Sequence, residues 1–184
     1  WVAPKDGRDH QVINPSTEEV CATISLGGQA DTDAAVAAAK AALPAWMATP
    51  VEDRIALVEK LLDHYNARAA DMAEAISMEM GAPIDMAAGQ QTPAGSWHLK
   101  NFIRAAKGFE FDRPLSDRAP NDRIIYEAVG VAALITPWNW PMNQVCLKVM
   151  PAIASGCTMV LKPSELAPLS SIILAEIIDE VKFP

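Results

Sequence analysis

Two short runs of polar and stiff residues, each placed directly after an apolar stretch, are where this chain could do chemistry. Thr136-Pro137-Trp138-Asn139-Trp140-Pro141 follows one apolar run, and Lys162-Pro163-Ser164-Glu165 follows the next. In an open α/β sheet ligands sit beyond the carboxyl ends of the strands, so two such segments aim their polar groups at one place. Asn139 offers a neutral amide between two indoles, with Pro141 fixing the backbone behind it. By residue type alone that amide either caps a helix opening at Pro141 or donates to an oxygen that gains negative charge. Lys162 and Glu165, three residues apart across Pro163, can donate to and accept from sugar hydroxyls, or can form a solvated surface ion pair. Ser164 adds a hydroxyl or a backbone contact.

The surrounding pattern supplies the elements that would position these groups. Residues 129–135 are almost continuously apolar, as expected of a parallel strand covered on both faces. Pro141 suits a first helical position, and Met142, Val145, Cys146, Val149 and Ile153 recur at helical spacing as a buried stripe. Pro151 should kink that helix by denying a hydrogen bond to the Leu147 carbonyl. Gly156 ends it, residues 157–161 form a second parallel strand, and Pro168 begins a helix running towards Val181. The result is a βαβα order. Its first turn lacks the glycines that bring backbone close to a pyrophosphate and carries two indoles and two prolines instead.

Upstream, residues 11–13 and 19–24 form a hairpin about the turn Asn14-Pro15-Ser16-Thr17. Asp31 is expected to cap an Ala-rich helix reaching Trp46, with Pro44 disturbing its last turns. Thr49, Pro50 and Glu52 form a capping box with proline at the first helical position. Val51, Ile55, Val58, Leu62 and Tyr65 then make one buried stripe. A third helix, residues 69–80, stops at Gly81 with Pro83 beyond it. Residues 84–107 form a fourth, interrupted in character by Gly89 and Pro93. Trp46, Trp97 and the methionines of these helices are assigned to the core. Residues 109–121 are expected to be a crossing loop, and residues 123–127 a half-buried strand.

Composition narrows the classes. The 184 residues are 51% hydrophobic and 21% charged, enough to bury a core. A net charge of −8 argues against nucleic acid, whose phosphates call for clustered Lys and Arg. No run of apolar residues is long enough for a membrane span, and the first residues show no signal-peptide pattern. Cys21, Cys146 and Cys157 make no close pair, which fits a reducing, cytoplasmic setting. His10, His64 and His98 lack metal-ligand spacing, so no metal site is expected. Cys146 lies on an apolar stripe with no His partner near in sequence, and its thiol is expected to be unactivated.

The runs "VGVAALITPWNWP" and "PAIASGCTMVLKPSE", the helix between them and the opening "INPSTEEV" together resemble the aldehyde dehydrogenase superfamily. The resemblance implies an α/β fold. A helical N-terminal region with a short β-hairpin would precede the start of a Rossmann-like parallel βαβα sheet, here an incomplete domain. It divides the chain into residues 1–108 of the cofactor-binding domain, a crossing and oligomerisation segment over 109–127, and the first part of the NAD-binding core over 128–184. It implies oxidation of a small-molecule aldehyde to an acid with NAD, or NADP, through a cysteine thiohemiacetal and thioester. That cysteine and the glutamate base are expected beyond residue 184. It makes Asn139 the oxyanion donor and places the backbone of Ile135, Thr136, Pro137 and Trp138 against the nicotinamide half. Lys162, Ser164 and Glu165 fall on the adenosine ribose, and Glu165 would repel a 2′-phosphate and so favour NAD. Lys148 matches a lysine near the reaction centre, where it either assists proton movement or forms a salt bridge. Gln144 and Leu147 face an aldehyde tunnel by analogy. Similar proteins are homodimers or homotetramers. The rival readings are a short noncatalytic homologue that binds nucleotide or partners, and an acylating relative that uses coenzyme A.

Overall fold

A computed structural model describes residues 1–183. The chain opens with an antiparallel hairpin, β1 (Arg8–Asn14) and β2 (Glu19–Leu26). Helices follow: α1 (Gln29–Ala48), α2 (Val51–Ala67), α3 (Ala69–Met80), a single turn α4 (Ile84–Met86), and α5 (Thr92–Lys107). The strands β3 (Asp112–Ser116) and β4 (Ala119–Ile125) make a second hairpin. Last come β5 (Val131–Ile135), α6 (Pro141–Ala154), β6 (Thr158–Lys162) and α7 (Leu169–Val181). The architecture is mixed α/β, with the expected hairpin, helical region and βαβα order.

Several local signals act as expected. Gly81 adopts φ 76° and closes α3 by returning its N–H to the Ser77 carbonyl. A left-handed residue is the usual helix stop, and glycine adopts it without steric cost. Pro141 opens α6, and the stripe Met142, Val145, Cys146, Val149 and Ile153 is buried in full. That stripe packs with Leu61, Tyr65, Met72, Ile76 and Leu99 of the helical region and with Leu174 and Ile177 of α7. Each such side chain contributes roughly 1.5–3 kcal/mol by leaving water. One core therefore runs beneath both halves of the described chain.

Other expectations are corrected. Helix α1 starts earlier, with Gly28 as its N-cap; Asp31 lies in the first turn and accepts the Gly28 N–H at 2.9 Å. Pro44 leaves α1 intact to Ala48. The cap of α2 is Pro50, while the Thr49 hydroxyl turns back to the Ala45 carbonyl at 3.0 Å, so no Thr49 capping box forms. Residues 84–107 stay helical through a π-helical stretch, Ala87–Gln91, which absorbs Gly89 and precedes Pro93. Trp97 is 62% exposed and not core, although its ring meets that of the buried His98 edge-on at 5.0 Å. The presumed crossing loop contains β3, and β4 is mostly exposed. Strand β5 is also only half covered, with Ile135 68% exposed, because among the described residues β6 alone pairs with it. Among the described residues no single helix is long and apolar enough to cross a membrane.

Candidate active site

The parallel pairing of β5 and β6 brings the two chemical segments together. Their register sets Ile135 opposite Lys162, so both strands end at the same level. One further bond, from the Thr136 N–H to the Lys162 carbonyl at 3.2 Å, carries the pairing past the strand ends. Thr136 is buried there, while Pro137, Trp138 and Asn139 are exposed.

Beyond this point the backbone turns sharply into α6. Trp140 is the N-cap of that helix, at φ 53° and ψ 62°. A bulky residue in the left-handed region, and one preceding proline, is a costly conformation, on the order of 1–3 kcal/mol. Such strain clusters where a side chain or backbone group must be aimed. No side chain caps α6, so Asn139 does not perform the capping role that its type allowed. Its amide is left on the surface of the turn, free to meet a ligand.

The second segment is an ordered loop. The Lys162 ammonium donates to the Glu165 carboxylate at 2.9 Å and to the Pro163 carbonyl at 3.2 Å. The Lys162 side chain is largely exposed, and that of Glu165 is half-buried. The hydrogen bond from Lys162 holds the Glu165 carboxyl below its ordinary range, so it is ionised at neutral pH. The Ser164 hydroxyl accepts the Leu166 N–H at 3.2 Å, and the Ser164 carbonyl accepts the Ala167 N–H at 3.3 Å. Ser164 is thus buried in the turn and shapes the loop from within. Trp138 and Glu165 line one cleft of about 370 Å³, facing His10, Val12 and Glu79.

Lys148 stands apart from this pair of segments. Its ammonium donates to the Gln144 carbonyl and to the Gln144 Oε1, each at 3.3 Å, and it makes no ion pair among the described residues. Cys146 is fully buried, and desolvation pushes its thiol up to about 12. A protonated, enclosed sulfur is no nucleophile.

Glu79 is the charged group here that sequence reasoning missed. It sits on the last turn of α3, largely buried, and accepts from the N–H groups of Leu169 and Ser170 and from the Ser170 hydroxyl at 2.5 Å. Burial raises its pKa from 4.5 to about 6, against the lowering effect of those bonds. A signal was present, because an anion near a helix C-terminus is disfavoured by the helix dipole unless a second helix start compensates it.

Donors and acceptors of this kind suit a dinucleotide: an exposed ammonium–carboxylate pair for a diol, next to an exposed strand end and a free amide. Comparison with known proteins places the chain in a family. The model of the family described as "Aldehyde dehydrogenase family" matches residues 1–184. The chain is 44% identical over 185 residues to a 3-succinoylsemialdehyde-pyridine dehydrogenase of a Pseudomonas species. It spans all of this chain but only 38% of that relative's length. An aldehyde dehydrogenase structure from Bartonella henselae superposes with a TM-score of 0.97 at 55% identity, covering 100% of this chain and 39% of its own. A mutant of aldehyde dehydrogenase C from Pseudomonas syringae, complexed with NAD+ and octanal, gives 0.95 at 41% identity, covering 100% and 37%. The mixed α/β arrangement is that of the N-terminal part of these enzymes, and the chain belongs to the aldehyde dehydrogenase family.

Proposed function

We propose that residues 1–184 serve a protein that oxidises an aldehyde to a carboxylic acid with NAD, supplying the oxyanion amide and the ribose-binding loop. NAD, when bound, supplies the hydride acceptor. The exposed Lys162–Glu165 pair at the end of β6 would hold its adenosine ribose, the ammonium donating and the carboxylate accepting. The carboxylate is ionised at neutral pH and would repel the extra phosphate of NADP. The backbone of Ile135, Thr136, Pro137 and Trp138 forms the wall beside it, on the side of the nicotinamide. Three of the similar structures are aldehyde dehydrogenases solved with NAD+, which supports the choice of cofactor.

The observation that carries this reading is the turn at Trp140. Its left-handed backbone frees Asn139 from capping and leaves the amide exposed beside the joined strand ends. There it would donate to the aldehyde oxygen as that oxygen becomes anionic, a role in which a prepositioned donor costs no reorganisation. None of the three cysteines here suits the attack on the aldehyde carbon: Cys146 and Cys157 are buried, and burial raises the pKa of Cys21. In this reading the nucleophile and the base belong to sequence outside residues 1–184. Lys148 is held by Gln144 on the same helix and would act on proton movement only after leaving that contact. The free thiols suit a cytoplasmic setting, and the exposed β3–β4 hairpin over 109–127 suits pairing of subunits in a dimer or tetramer.

Asn139→Ala in the full-length protein tests the proposal. Steady-state kinetics with saturating NAD should give a kcat lower by ~10²–10³, the usual effect of losing one oxyanion donor. An unchanged kcat would remove Asn139 from the chemistry.

A further inference from the structure

Residues 162–168 carry the proposed ribose contacts, and they are held at both ends. Upstream, Lys162 is fixed by the pairing of β6 with β5 and by the Thr136 N–H on its carbonyl. Downstream, only Leu166, Ala167 and Pro168 separate Glu165 from the first residue of α7. That first turn is gripped by a side chain from a distant element. The Glu79 carboxylate accepts from the N–H of Leu169, from the N–H of Ser170 at 3.2 Å and from the Ser170 hydroxyl at 2.5 Å. Ser170 is fully buried, so these bonds are shielded from water. At the same end of α3, Gly81 lies close to Pro15 of the β1–β2 turn, where an added Cβ would come within 2.7 Å of the Pro15 ring.

We propose that Glu79 is a positioning residue for cofactor binding, which sets the Lys162–Glu165 loop by anchoring the N-terminus of α7. The inference rests on the ribose reading of that loop. The physical reason is twofold. The first N–H groups of a helix have no partner within it, and a carboxylate satisfies two of them together with the partial positive charge of the helix start. The same carboxylate is misplaced on its own helix, at the C-terminal end, so no benefit within α3 accounts for it. Once anchored, α7 gives the loop a fixed downstream end, and an offset of about 1 Å in a binding group is enough to cost up to ~10²-fold. The charged or titratable groups that share the cleft with Glu79 are His10 of β1 and Glu165 of the loop itself, and Cys21 of β2 lies near enough to feel its charge. The first turn of α7 carries none.

Two variants of the full-length protein test this. Glu79→Gln keeps the shape but can satisfy fewer donors, and Ser170→Ala removes the hydroxyl bond alone. Both should raise KM for NAD, Glu79→Gln by about tenfold and Ser170→Ala by about threefold, with kcat and the aldehyde KM within about twofold. Glu79→Asp should restore part of the NAD affinity, and hydrogen exchange at Leu169 and Ser170 should quicken in Glu79→Gln. The inference is overturned if both variants leave KM for NAD unchanged while Lys162→Ala raises it. An unchanged KM in Lys162→Ala as well would sink the ribose reading itself, and this inference with it. A fall in kcat equal to the rise in KM would point to general damage and would also count against positioning.

Discussion

The Cys146 thiol lies on the apolar stripe of α6, and burial pushes its pKa up to about 12, so at neutral pH it stays protonated. Cys146→Ala in the full-length protein should therefore leave turnover within about twofold, at a cost near 1 kcal/mol in unfolding free energy for the small cavity. Turnover assays and thermal melts check both parts, and lost activity in a folded variant would reverse the assignment. Glu165 illustrates the opposite environment. It is half-buried, bonded by Lys162 and ionised, and under the ribose reading its charge would discriminate cofactors. Glu165→Gln should narrow the ratio of kcat/KM for NAD over NADP by about tenfold, because one charge repulsion worth about 1.4 kcal/mol is removed. An unchanged ratio would mean that this carboxylate does not read the ribose.

Among the elements, α3 and α7 are joined through a carboxyl whose folded pKa, about 6, exceeds its ordinary 4.5. The folded state thus holds a proton that the unfolded state releases between these two values. Stability from this group is present below 4.5, falls as pH rises to about 6, and stays lower above it, a change of about 2 kcal/mol. Denaturant unfolding of the wild type and Glu79→Gln across pH 4.5–7 should show the wild type losing about that amount relative to the variant as pH rises. A difference independent of pH would mean that Glu79 is ionised throughout. Helix boundaries show how much local signals settle. Gly81 stops α3 and Pro141 opens α6 because a left-handed turn and a missing N–H are properties of single residues. The cap at Asp31 moved to Gly28 because a carboxylate can reach back from the first turn as readily as it can sit at its head.

At the scale of the whole molecule, the described chain is one main core with a parallel sheet only half covered. Val129 and Ile135 are exposed, and β6 is the single strand that pairs with β5. Expressed alone, residues 1–184 should produce no aldehyde-dependent NADH, as followed by absorbance at 340 nm. Turnover by that pure chain, abolished by Cys146→Ala, would overturn both this expectation and the reading of Cys146.

The order of elements, the βαβα pattern and the two polar segments were legible from the residues, because periodicity, glycine and proline act over a few positions. The family was legible for the same reason, since its motifs are contiguous. What only the tertiary structure decided was which surfaces meet. It left Trp97 outside the core, made the expected crossing loop a hairpin, and buried Glu79, which no motif had singled out, against the start of α7. These outcomes depend on contacts between residues about 90 positions apart in the case of Glu79, and no local pattern encodes which partner a side chain will find.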